Sequence, residues 1–372
     1  MSDGRIRVAL IFGGVSSEHD VSCLTAGGVV RAIDPDRFVV IAVGITPAGR
    51  WVQVPFDEVA SMDVVDDTLP RLDESRPSAV LLTGEDAPAI ATRSGDRLTD
   101  IQPFDVAFSL LHGPFGEDGA IQGLFEMHQI RYVGAGIAAS AIGMDKHLMK
   151  TALAAAGFQV SPWETVTATE WQADPQRFQR RVEDNLTFPV YVKPARGGSS
   201  VGISRVSAVA DLGSAIEEAR RWDPRIIVEE GFVDARELEV AVLDTPDQGA
   251  PRLSVAGEIR VHTPGAFYDY AAKYTPEEQV SLDVPADISE ALLARIQRLS
   301  GRAFRALSLE GLARVDTFVT ADEEVVINEV NTMPGFTPLS MYPLLWEASG
   351  LSYPDLLAEL IDLALHRPVG LR

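Results

Sequence analysis

The chain has one cysteine, Cys23, and only four lysines among its 372 residues. A single cysteine forbids an internal disulfide and suits a reducing compartment. No uninterrupted apolar run approaches the roughly 20 residues that a membrane span needs. The first residues show no basic stretch followed by an apolar one, so no signal peptide is expected. Positive charge is also scarce: 54 acidic residues face 32 basic ones, for a net charge of −22. Duplex nucleic acid is bound largely by neutralising its phosphates, and anionic membranes by basic clusters, so neither partner is expected. There is no low-complexity tract and no solenoid-type repeat. Together these absences predict a soluble, cytoplasmic protein of small-molecule chemistry. Any anionic ligand must be held by a local gathering of cations.

With 46% apolar residues the chain can bury a core, and its length predicts two or three domains. Residues 7–12 read as a buried strand. Gly13-Gly14 turns the chain, a helix follows to about 33, and 38–43 reads as a second strand. This opening predicts an α/β fold with a Rossmann-like parallel sheet over residues 1–136. Residues 60–100 are polar and proline-rich and read as a surface insertion. A helix over 145–156 stops at Gly157. Strands at 188–193, 203–206 and 225–230, with a helix over 208–222, predict a small α+β unit within 137–235. The rest, 236–372, reads as strands at 237–244 and 252–261, a helix over 287–307, a hairpin of 311–319 with 324–330, and two terminal helices.

The hairpin carries the strongest chemical pattern. Asp316 lies on one strand, and Glu329 and Asn331 project to one face of the next, because strand side chains alternate. Two carboxylates and an amide oxygen suit a hard cation such as Mg2+, whose other ligands are often ATP phosphates. Arg314 shares the face of Asp316 and can hold a phosphoryl group or an oxyanion. The bland alternative is a solvated polar face. Its apolar neighbours Ala313, Val315, Phe318 and Val330 weigh against full solvation.

Because 28 of the 32 basic residues are arginine, each lysine raises a question. Lysine is a compact point charge that a guanidinium does not imitate. Lys193 ends a strand and precedes Gly197-Gly198-Ser199-Ser200, whose backbone N–H groups can meet phosphates. A plain Gly-Ser hairpin turn is the alternative. Asp145 can cap a helix that places Lys146 in its first turn. Lys150, one turn on, reads as a surface residue. Lys273 sits in Phe267-Tyr-Asp-Tyr-Ala-Ala-Lys-Tyr274, an ordered loop or an aromatic-packed surface loop. Glu18 follows the first strand, where ligands of parallel sheets bind, and can hold an ammonium or complement a helix dipole. His112, in His112-Gly-Pro-Phe-Gly-Glu-Asp-Gly119, ends a neighbouring strand.

In this order, from residue 12 to about 341, the motifs closely resemble those of ATP-grasp enzymes, specifically the D-alanine–D-alanine ligase family. The resemblance implies an N-terminal Rossmann-like domain followed by two ATP-grasp subdomains with ATP between them. It implies that Lys146 and Lys193 hold ATP phosphates, and that Glu229, Glu230 and Phe232 frame adenine through backbone contacts. It gives the ribose to Glu237, although Val-Asp-Ala-Arg before it is one residue longer than many members carry. Two Mg2+ ions, with Mn2+ a possible substitute, would sit on Asp316, Glu329 and Asn331. Glu18 would take the ammonium of a first D-alanine, with His112 on the same side. Arg314 and the Gly335 N–H would stabilise its carboxylate oxygens. Lys273, Ser340 and the Met341 backbone would anchor a second D-alanine. Ser199 and Tyr274, linked to Glu18, would close the flap, with Ser200 beside them on the nucleotide. The implied reaction runs through an acyl phosphate, and the implied assembly is a homodimer. D-lactate or D-serine as second substrate, and a non-catalytic nucleotide-binding module, are the alternatives. A phenylalanine at 274 would suggest D-lactate.

Overall fold

A computed structural model of the chain describes residues 4–370 apart from 67, 85–86, 233, 248 and 263–279. Its first sheet holds β1 (Ile6–Gly13), β2 (Phe38–Ile45), β3 (Trp51–Gln53), β4 (Ser78–Leu82), β5 (Ala89–Ser94), β6 (Arg97–Pro103) and β7 (Val106–Ser109). The order is β6-β5-β4-β3-β2-β1-β7, and β1 runs parallel to both β2 and β7. Alternation along β1 explains its unbroken burial. Val8, Leu10 and Phe12 enter one core, whereas Ala9 and Ile11 enter the other with Phe125 and Tyr132.

The first sheet departs from expectation at its far edge. Residues 60–100 do not form a loose insertion: β4, β5 and β6 extend the sheet by antiparallel pairing. Ala79, Ile90 and Ala91 are buried there. The apolar runs that drive this are only a few residues long, and β6 itself is almost wholly exposed, so average polarity hid the strands.

The second sheet contains β8 (Trp163–Thr167), β9 (Val190–Pro194), β10 (Ser204–Val206) and β11 (Arg225–Glu230), in the order β10-β9-β11-β8 and antiparallel throughout. Val190, Val192, Ile226 and Val228 face a core with Phe178, Val182, Leu212 and Ile216. The opposite face therefore shows Tyr191, Lys193, Ile227 and Glu229. The expected helix over 208–222 is a 3-10 turn followed by the shorter helix Leu212–Ala219.

The third sheet contains β12 (Arg236–Leu243), β13 (Arg252–Val261), β14 (Val280–Asp283), β15 (Leu312–Val319) and β16 (Val325–Asn331), in the order β14-β13-β12-β15-β16. Leu238, Val240 and Val319 pack against the helix Glu290–Ala306 through Leu292 and Ile296. That leaves the other face of the sheet for polar side chains.

The terminal helices Met341–Ala348 and Tyr353–His366 return to the first sheet. Tyr342, Leu345, Trp346, Leu357 and Ile361 share one core with Val8, Leu10, Phe12 and Phe108. Phe336 is fully buried at its centre, with ring centroids 6.0 Å from Phe108 and 5.7 Å from both Tyr342 and Tyr353. Among the described residues no helix is long and apolar enough to cross a membrane. Removing the ring in Phe336→Ala is expected to cost about 3–5 kcal/mol, seen as a lowered urea or thermal midpoint. An unchanged midpoint would mean that the two ends of the chain do not share this core.

Candidate active site

β15 and β16 pair with Asp316 opposite Glu329 and Arg314 opposite Asn331, so all four share one face as alternation requires. The register then slips, setting Thr317 opposite Ile327 and making Asn328 the extra residue of a bulge. On its other side Asp316 faces Glu239 of β12. Three carboxylates in a row across three strands repel one another. Arg314 offsets them: its Nε lies 2.9 Å from Glu239 Oε2 and 2.7 Å from Asp316 Oδ1, and its Nη2 lies 2.7 Å from Asp316 Oδ2. Burial opposes the guanidinium charge, but Asp316 and Glu239 outweigh it and raise the Arg314 pKa further. Asn331 Nδ2 donates to Asp316 Oδ2 at 2.9 Å. This donor set fits a hard divalent ion: two carboxylates, an amide oxygen and an excess of negative charge. No three acidic, histidine or cysteine side chains among the described residues stand close enough to chelate alone. A metal here would need further oxygen ligands, such as phosphates.

Lysines gather beside this acidic face. Asp145 caps the helix Lys146–Ala155, accepting from His147 N and Leu148 N at 3.1 Å. Lys146 Nζ then donates to the Gly197 carbonyl at 2.8 Å and lies 3.8 Å from Glu329 Oε2. Lys193 and Glu229 are diagonal neighbours on one face of β9 and β11, and Lys193 Nζ donates to Glu229 Oε2 at 2.7 Å. Lys150 is not a surface residue: it is 0% exposed, with Nζ 3.5 Å from Glu229 Oε1. Its place on the helix, one turn below Lys146, turns it inward. Burial alone would raise the Glu229 carboxyl, but Lys150 and Lys193 outweigh it and hold it at about 2. Burial lowers Lys150, whereas Lys193 is raised because Glu229, Glu329 and Glu237 outweigh its own burial.

The Gly/Ser loop lies over Glu18. Ser199 and Ser200 both adopt left-handed backbone, φ 49° and 58°, and Ser199 Oγ donates to Glu18 Oε1 at 2.5 Å. Glu18 is 8% exposed, and its Oε2 has no hydrogen-bond partner among the described residues. A Cβ at Gly113 or Gly198 would meet this carboxylate, and Gly113, at φ 69°, also holds left-handed backbone. Ser16 Oγ donates to the His112 carbonyl at 2.8 Å and accepts from Glu18 N at 3.2 Å. His112 Nδ1 is 3.1 Å from the Met333 carbonyl. Glu117 splices this turn to the loop after β16: it accepts from Gly113 N at 2.9 Å and from Met333 N at 3.0 Å. Burial, with the nearby Glu18 charge, pushes Glu117 up to about 7.

The loop from Met333 leads to Gly335 and Ser340. Ser340 Oγ accepts from Thr337 N at 3.1 Å, and Ser340 precedes the helix that begins at the buried Met341. The segment that the resemblance assigns to adenine is partly committed to the fold. Glu230 N and Gly231 N donate to the Pro162 and Pro189 carbonyls at 3.0 and 2.8 Å, and the Phe232 ring rests 5.4 Å from Phe318. Glu237 lies on the polar face of the third sheet with Glu239. Lys273 and Tyr274 lie outside the described residues.

Sequence reading found the hairpin, Lys146, Lys193, Glu18 and Ser199, which the structure brings together. It missed Lys150, Glu117 and Glu239. The signal for Glu239 was present in Arg236-Glu-Leu-Glu239, where alternation puts both acids on one face. The shortage of lysine drew notice to Lys150 but gave no sign of its burial. Glu117 gave no signal beyond its motif.

The family described as D-ala D-ala ligase N-terminus matches residues 7–135, and that described as D-ala D-ala ligase C-terminus matches 152–362. A D-alanine–D-alanine ligase of Pseudarthrobacter chlorophenolicus is 50% identical over 368 residues, covering 98% of this chain and 96% of that protein. The solved D-alanine-D-alanine ligase of Coxiella burnetii superposes with a TM-score of 0.79 at 34% identity, over 97% of this chain and 94% of that one. The VanG D-Ala:D-Ser ligase of Enterococcus faecalis gives 0.82 at 33% identity, over 97% and 99%.

Glu229→Gln would leave two buried ammonium groups without their carboxylate and is expected to cost about 3–5 kcal/mol at neutral pH. The folded Glu229 pKa, about 2, lies below its ordinary value of 4.5, so the stability it contributes is present above 4.5 and is lost as pH falls toward 2. The gap in denaturation midpoint between wild type and variant should narrow over that window. A gap independent of pH would contradict the ion-pair account.

Proposed function

The chain belongs to the D-alanine–D-alanine ligase family, and on that premise we propose that it joins two D-alanines at the expense of ATP, through D-alanyl phosphate, to supply a peptidoglycan precursor. The observation that carries this reading is the buried Glu18 carboxylate under the Gly/Ser loop. One oxygen is held by Ser199, and the other has no donor among the described residues. An amino acid's ammonium would complete it.

The nucleotide would lie between the polar faces of the second and third sheets. Its phosphates would meet Lys146, Lys193 and the loop at Ser199-Ser200, its adenine the segment Glu229 to Phe232, and its ribose Glu237. Asp316, Glu329 and Asn331 would hold two Mg2+ ions, which neutralise phosphate charge when bound. In the first step a carboxylate oxygen of the first D-alanine attacks the γ-phosphorus, and the bond to the β,γ-bridging oxygen breaks to release ADP. In the second the amine of the second D-alanine attacks the acyl carbon, phosphate leaves, and the amine loses a proton.

The protein's part is placement and charge, which supply most of the catalysis in phosphoryl transfer. Glu18 fixes the first ammonium, with His112 beside it. Arg314 and the Gly335 N–H face the carboxylate oxygens. Lys273, Ser340 and the Met341 backbone seat the second D-alanine. Ser199 would close over the site, with Tyr274 given to the same role by the family resemblance, and exclude water that would hydrolyse the acyl phosphate. Tyrosine at 274 favours an amine nucleophile, although the likeness to a D-Ala:D-Ser ligase keeps D-serine as the competing second substrate. The same reading divides the chain at 136 and 235, makes it a homodimer and places it in the cytoplasm.

Coupled ADP release tests the proposal: ADP should form from Mg-ATP only when D-alanine is added, with D-serine and D-lactate as comparisons. No D-alanine dependence would end the ligase reading. Glu329→Gln should abolish turnover in a folded protein, and normal turnover would remove the metal assignment. Lys193→Arg should also fail, because a planar fork does not replace a point charge. Wild-type kinetics in that variant would take Lys193 out of the site.

A further inference from the structure

Lys150 has no part in the reaction just described, yet it is a fully buried cation. It stands 3.5 Å from Glu229 Oε1, while Lys193 occupies Glu229 Oε2 at 2.7 Å. One carboxylate thus sits between two ammonium groups. The Lys150 side chain is 1% exposed and that of Glu229 is 4%, against 14% for Lys193. Lys193 is thus the most exposed of the three.

We propose that Lys150 is a positioning residue that frees Lys193 for the nucleotide by remaining as the counter-charge of Glu229. The inference rests on the nucleotide site proposed above. Its physical basis is the cost of an uncompensated ion away from water, several kcal/mol per charge. Were Glu229 paired with Lys193 alone, Lys193 could reach a phosphate only by stranding a buried carboxylate. With Lys150 in place, its departure leaves a neutral pair. At 3.5 Å, Lys150 Nζ and Glu229 Oε1 stand at the outer limit of a hydrogen bond, and neither atom has another hydrogen-bond partner among the described residues. Each can therefore close on the other when Lys193 leaves. Lys146 does not substitute: it faces Glu329, and the nucleotide reading gives it to the phosphates.

The test is calorimetric binding of a non-hydrolysable ATP analogue with Mg2+, and of adenosine, to the full chain. In Lys150→Met the carboxylate keeps Lys193, so the analogue should bind about tenfold or more weakly, while adenosine, which has no phosphate, should bind as to wild type. In K150M/E229Q the trap is removed, and the analogue should regain an affinity within about threefold of wild type. Equal weakening of both ligands, no weakening of either, or a double variant no better than K150M would overturn the inference. If K150M does not fold, the electrically matched double variant carries the test, and loss of analogue binding there overturns it. Failure of wild type itself to bind the analogue would instead remove the nucleotide site on which the inference stands.

Discussion

A carboxylate shut away from water must have a cation, and a cation shut away with it must have a carboxylate. This constraint organises the polar faces of the second and third sheets. Lys150–Glu229–Lys193 satisfies it on one wall, and Arg314, held between Glu239 and Asp316, satisfies it on the other. In a chain with 54 acidic and 32 basic residues these cations are not incidental. Each is matched by a carboxylate, and together they gather where the proposed reading sets the nucleotide.

The backbone sets these charges at fixed places. Diagonal neighbours on β9 and β11 set Lys193 beside Glu229, and adjacent positions on β12, β15 and β16 line up Glu239, Asp316 and Glu329. Between the walls, the capped helix Lys146–Ala155 sends one lysine to the Gly/Ser loop and the next, one turn along, beneath Glu229. The first sheet contributes Glu18, and it is tied to the third by Glu117 and by the core around Phe336. A first substrate bound at Glu18 would therefore meet the nucleotide across contacts that already span all three sheets.

Much of this was legible in the sequence because it depends on periodicity. Alternation alone put Glu329 and Asn331 on one face, and the β-turn-α-β opening gave the parallel strands β1 and β2. The family resemblance converted modest motifs into a reaction. Residues whose role depends on tertiary burial were not legible. Lys150 sits on a helix whose local pattern permits either an inward or an outward face, and only the approach of β11 makes it a buried ion. Glu117 looks like an ordinary turn residue until Met333, more than 200 residues away, donates to it. The strands β4 to β6 were hidden for a related reason: an edge exposed to water has little apolar signal to read.

On the proposed reading, nucleotide phosphates take Lys193 from Glu229. The most direct measurement is a crystal structure with a non-hydrolysable ATP analogue, Mg2+ and D-alanine. The account predicts Lys193 Nζ on a phosphate oxygen, Lys150 Nζ within hydrogen-bond distance of Glu229, and the D-alanine ammonium on Glu18. Nucleotide bound elsewhere, or bound in the cleft with Lys193 still on Glu229, would contradict it.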